Sequence, residues 1–165
     1  VEEKEKKVQE HLPSVASLNL RLAATMAEER KFLEAFNRLK AIENSSELTD
    51  PEKVERIQLS AKIFDQRNES DKARAALLEL AQKWQGDPAL VAPVNLQLAQ
   101  NFLKSGDAKQ AEFHAGKVLE AEGGETPIPD KVIAEALTVQ GDALLEQKRG
   151  LSAVDSYQKL LERFE

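Results

Sequence analysis

Histidine is the side chain that most often moves a proton or holds a metal near neutral pH, and this chain has two, His11 and His114. Neither has the spacing of a metal site, for there is no HExxH pattern, no paired histidine and no cysteine. His114 follows Ala111 by three residues on an amphipathic run and reads as a partly exposed helical residue, not a ligand. His11 stands in a charged terminus and takes no role. The 29 Asp and Glu residues could supply a general acid and base only where two are desolvated and face each other, which solvated helix surfaces do not provide. Gly123-Gly124 runs into Glu125-Thr126-Pro127 instead of the Lys and Ser or Thr that open the helix of a phosphate-cradling loop, so it reads as a plain loop. Asn44-Ser45-Ser46 and Asn68-Glu69-Ser70 have glycosylation spacing in expected turns, which matters only for a secreted eukaryotic protein. Trp84, at helical spacing from Leu77 and Leu80, reads as a packing residue before an exposed hot spot. These residues predict no enzyme, no cofactor and no metal.

The elements that carry such residues are then expected to be helices. Of 165 residues, 32% are charged and only 5% aromatic, with 7 Gly and 6 Pro, a balance that suits Ala- and Leu-rich helices and disfavours strands. A net charge of −6 argues against nucleic acid as a partner, because phosphate binding needs clustered Lys and Arg. No apolar run approaches the ~18 residues of a membrane span, so no membrane insertion is expected. The charged start, Val1 to Glu10, has no signal-peptide core. Cytoplasm and bacterial periplasm or cell envelope both stay open, and the missing initiator Met suggests a piece of a longer protein.

Self-similarity organises the chain. FLEAFNRLKAI at 32–42, KARAALLEL at 72–80, QAEFHAGKVL at 110–119 and SAVDSYQKLL at 152–161 each carry an early alanine: Ala35, Ala73, Ala111 and Ala153. Twelve residues before each stands another small residue, Ala23, Ala61, Ala99 or Gly141, and three residues after that a large one, Met26, Phe64, Phe102 or Leu144. Two antiparallel helices approach closely only where one lacks a side chain, and the neighbouring large residue then fills the groove. Breakers fall between the runs at Thr49-Asp50-Pro51, Gly86-Asp87-Pro88 and Pro127-Ile128-Pro129-Asp130. The spacing predicts helices near 14–30, 32–45, 51–67, 71–85, 89–104, 108–122, 130–148 and 151–164. Pro93 would sit best in a first turn, which predicts an irregular Pro88 to Val91 entry and a helix from about Ala92. Residues 1–13 read as a polar segment or capping helix, and 14–165 as one repeat domain of units 14–48, 49–87, 88–126 and 127–165.

Leu98-Ala99-Gln100-Asn101-Phe102, followed by Gly106-Asp107 and Ala111, resembles the tetratricopeptide repeat family, as do Gly141-Asp142, Leu144, Ala153 and Tyr157 in the last unit. The first two units lack the aromatic that the family places early in its first helix. The resemblance implies an all-α, right-handed α-solenoid of about four antiparallel helix pairs, and a protein-interaction scaffold that holds a peptide or protein segment in a groove lined by first helices. Carried through the repeat register, the groove residues are Ser17, Leu20, Ala24, Ala27 and Glu28, then Glu55, Gln58, Lys62, Asp65 and Gln66. The third and fourth units contribute Pro93, Leu96, Gln100, Leu103 and Lys104, then Glu135, Thr138, Asp142, Leu145 and Glu146. Six acidic residues face two basic ones there, a net of −4, which favours a partner with basic and apolar residues. The closing run 156–164 is similar to bacterial cell-envelope or assembly-factor arrays. The alternative reading is a structural subunit that oligomerises through its repeat-end faces. The last helix favours it, since Val154, Tyr157, Leu160, Leu161 and Phe164 share a broad face on which the chain either continues or pairs with a copy.

Overall fold

A computed structural model describes residues 12–164. The expected polar segment before residue 12, with His11, lies outside the described residues. Among those described, all regular structure is helical: α1 Val15–Glu28, α2 Phe32–Ala41, α3 Asp50–Gln66, α4 Ser70–Lys83, α5 Pro88–Lys104, α6 Ala108–Glu120, α7 Asp130–Glu146 and α8 Gly150–Phe164, with α1 packed on α2 and each helix from α4 to α7 packed on the next.

Helix starts follow from side chains that satisfy free backbone N–H groups. Ser14, Asp87 and Asp107 accept from the amides of Ser17, Leu90 and Gln110. Thr49 and Glu52 form a reciprocal box at α3: the Thr49 amide donates to Glu52 Oε2 at 2.9 Å and the Glu52 amide to Thr49 Oγ1 at 3.4 Å. Ser17 and the Thr49 amide hold the Glu52 carboxyl below its ordinary range. Two expectations shift. Helix α2 stops at Ala41, where Glu43 and Ser45 turn into tighter bonds to Lys40 and Ile42. Helix α5 starts at Pro88 with Pro93 inside it, because Pro88 is well placed at the first position, and Pro93 then removes only the bond to the Ala89 carbonyl.

Every helix pair is joined by one turn, repeated four times. The residue seven beyond each small position, Arg30, Asn68, Gly106 and Lys148, takes positive φ of 60°, 60°, 82° and 60°. The next amide then reaches back to the large repeat residue: Lys31 to Met26, Glu69 to Phe64, Asp107 to Phe102 and Arg149 to Leu144, at 2.8–2.9 Å. This is the Schellman closure, in which the left-handed residue lets two amides cap the last carbonyls. Only Gly106 enters that region without a Cβ penalty. Lys148→Gly is therefore expected to stabilise the protein by about 1 kcal/mol, read as a higher denaturant midpoint at unchanged m-value. Gly106→Lys should lose a similar amount, and equal midpoints for both would contradict the shared turn.

The small positions do what their size permits. Ala23, Ala35, Ala61, Ala73, Ala99, Ala111 and Ala153 are completely buried. By packing, the chain divides into two compact units, Val1–Ile63 and Phe64–Glu165, the division falling within α3. In the first, α1 and α2 enclose Leu20, Ala23, Leu39 and Leu48, with Ile63 of α3. In the second, α4 packs on α5, α5 on α6, α6 on α7 and α7 on α8, and α5 also touches α7. The core there gathers Leu96 and Ala99 of α5, Ala115 and Val118 of α6, and Ile133, Ala136 and Val139 of α7.

Candidate functional site

The expected groove residues separate by burial. Glu28, Glu55 and Lys62 are exposed on α1 and α3, while Leu20 is buried between α1 and α2. Of the second unit, Gln100, Lys104, Leu145 and Glu146 are exposed, Asp65, Leu103 and Asp142 half-buried, and Leu96 is buried in the core. Leu20 and Leu96 thus offer no side-chain surface to a partner, because each is taken up by the core of its unit, whereas Thr138, at the same register position in the fourth pair, is exposed. What the second unit does bring together is the first helices of the third and fourth pairs. Gln100 Nε2 on α5 donates to Glu135 Oε2 on α7 at 3.3 Å, with Lys131 ion-paired to the same carboxylate. Lys104, Thr138, Leu145 and Glu146 are exposed on the same two helices.

Two of the expected groove carboxylates have structural work. Asp65 Oδ1 accepts from Asn101 Nδ2 at 3.0 Å; Asn101 is buried and also donates to the Ser70 carbonyl at 3.3 Å. Its own oxygen accepts from Arg74 Nε at 2.8 Å, and the Arg74 guanidinium lies 4.7 Å over the Phe102 ring. Asp142 Oδ1 accepts from the Tyr157 hydroxyl at 2.6 Å, and this bond to the carboxylate, with burial, pushes the phenol up to about 12. The Tyr157 ring lies where a Cβ on Gly141 would be, at 2.5 Å, which explains why the fourth unit has glycine where the others have alanine.

A second feature lies among α4, the start of α5, α6 and the loop after it: a recess of about 980 Å³, lined by Leu78, Gln82, Val91, Asn95, His114 and Glu125 among others. His114, expected to be partly exposed, is buried. It stacks on Phe102 at 5.4 Å and 9°, with Phe113 against its edge. Asn95 Nδ2 donates to the Val91 carbonyl at 3.3 Å, so its oxygen is the acceptor for the His114 Nδ1 proton at 2.9 Å. Burial, aided by the charge of Lys117, pushes the imidazole down to about 4, so it is neutral at pH 7. Sequence reasoning missed this pair, since Asn95 and His114 are 19 residues apart on different helices. The signal available was that both interrupt otherwise apolar stripes.

Gly123, at φ 88°, turns the chain in the loop after α6, and Trp84 is half-buried at the C-cap of α4. Among the described residues, no group of three or more His, Asp or Glu is placed to hold a metal, and no helix is long and apolar enough to cross a membrane. No family model matches the chain, and no curated protein is similar to it.

Proposed function

We propose that the chain is a helical-repeat binding module of the tetratricopeptide kind, whose function is to hold a protein or peptide segment bearing basic and apolar residues. The observation that carries this reading is that α5 and α7 pack side by side, bridged at the surface by the Gln100–Glu135 contact. Around it the two helices present Glu135, Asp142 and Glu146 against Lys104 and Lys131, the latter ion-paired to Glu135, and Leu145 stands exposed among them. Mixed apolar and acidic surface on rigid helices suits a basic, amphipathic segment, with charge setting encounter rate and salt dependence and leucine supplying buried area. The fourfold turn and the small and large register support the repeat class.

Asp65 and Asp142 are unsuitable for testing this, because reversing either breaks a tertiary hydrogen bond. Thr138→Lys with Glu146→Lys, both at exposed positions, leaves those bonds and the Gln100–Glu135 contact intact. For a partner isolated by affinity capture on the whole chain, this pair is expected to weaken binding by tenfold or more at low salt, about 1.4 kcal/mol, with the difference shrinking as salt rises. Equal affinity of variant and parent at both salt concentrations would remove the α5 and α7 face as the binding surface.

A further inference from the structure

The repeat register names two apolar stripes that the described residues leave uncovered. On α1, Val15, Leu18 and Leu22 lie at three- and four-residue spacing and are 41–69% exposed. Thirty-eight residues per unit separate equivalent positions in the first three units, so their counterparts on α5 are Val91, Val94 and Leu98, all buried. On α7, the counterparts of Val15 and Leu18 are Ile133 and Ala136, both completely buried beside Ala115 and Val118 of α6. Both α5 and α7 pack against the second helix before them, α4 and α6. The α1 stripe is therefore the face on which a first helix normally receives a second helix.

The other stripe is its complement. On α8, Val154, Leu161 and Phe164 are 41–55% exposed. The counterpart of Leu161 on α6 is Leu119, which packs into the core shared with α7; that of Phe164 on α4 is Trp84, half-buried. The α8 stripe is thus the face on which a second helix normally receives the next first helix. Exposed charges flank both stripes, with Arg21 next to Leu22, Asp155 and Glu162 next to Val154 and Leu161, and Arg163 next to Phe164 but already ion-paired to Glu122 and Asp130.

We propose that two copies of this chain associate head to tail, the α8 stripe of one seated on the α1 stripe of the next, reproducing between molecules the packing of α6 on α7 within one. Such a contact is heterologous: each copy retains one free face of each kind, so association continues beyond two. A symmetric pairing of α8 with α8 would join two faces of the same kind, and the acidic Asp155 and Glu162 would lie on both sides of the contact.

Sedimentation velocity on the whole chain and two double variants tests this. The parent is expected to shift to species larger than a dimer as concentration rises. Leu18→Glu/Leu22→Glu and Leu161→Glu/Phe164→Glu should each be monomeric alone. Mixed in equal amounts, they should form a one-to-one dimer and nothing larger, because the mixture holds one intact pair of faces. Circular dichroism and the melting midpoint report that each variant is folded, and Leu18→Ser/Leu22→Ser with Leu161→Ser replace any that is not. A parent that stays monomeric at every concentration overturns the proposal. So does an α1 variant that still dimerises, which is the signature of symmetric α8 pairing, or a mixture of folded variants that fails to associate.

Discussion

Asn101→Leu is expected to destabilise the protein by about 3 kcal/mol, although leucine nearly matches asparagine in size and α5 is otherwise rich in apolar residues. The cost arises from what is left behind. Asn101 is buried and joins Asp65, the Ser70 carbonyl and Arg74 in one knot. Leucine strands the carboxylate, the carbonyl and one guanidinium N–H together, and each loses the partner that offset its desolvation. Arg74 keeps Ser105 and Asp71, so its stacking on Phe102 should survive. Gln100→Leu, one residue away but exposed, should change stability by under ~0.5 kcal/mol. The double exchange Asp65→Asn/Asn101→Asp swaps donor and acceptor across that one bond and puts the carboxylate beside Arg74, but a carboxylate cannot donate to the Ser70 carbonyl. Urea unfolding of the four proteins should show it recovering only part of the loss. If Asn101→Leu unfolds at the parent's midpoint, the knot contributes no net stability.

Acid should unfold this protein through His114 as well as through its carboxylates. The folded imidazole titrates at about 4, against 6.5 for the free side chain, because burial under Phe102 and Phe113 disfavours its charged form. Between those two values the unfolded chain binds the proton and the folded chain does not, so stability falls as pH drops through that window. Above about 6.5 the contribution is fully present; below about 4 it is lost. The gap corresponds to about 3 kcal/mol. His114→Gln keeps an amide donor for Asn95 without a titrating group. Denaturation at pH 7 and pH 4 should show the parent losing about 3 kcal/mol more than this variant, with the carboxylate contribution cancelling between them. An imidazole resonance that titrates near 6.5 in the folded protein, or equal losses in both proteins, would refute the assignment.

Much of the helical scaffold was legible in the residues. Small residues twelve apart, followed by a large one, specify a close helix crossing by size alone, and all seven alanines in those positions are completely buried. Helix starts could be read from Thr49, Asp87 and Asp107 because capping is local chemistry between residues two or three apart. Pro93 was misjudged because its strain inside a helix was weighed above the fit of Pro88 to the first helical position, although Pro93 there forfeits only one backbone bond. The candidate site was less legible. Extending the register across four first helices placed Leu20 and Leu96 on a binding face, yet both are buried in the core, since a single helix turns only part of its circumference outward and register does not say which part.

The sequence alone thus determined the helical class, the pairing of consecutive helices and the size pattern at their crossings, because each depends on residues within about one helix pair of each other. Only the tertiary structure decided which polar residues are spent internally. Asp65 meets Asn101, Asp142 meets Tyr157 and His114 meets Asn95 across 15 to 36 residues. A surface carboxylate and a structural one have the same letter and the same local neighbours. What distinguishes them is the donor that a different helix brings within 3 Å, and that depends on how helices pack.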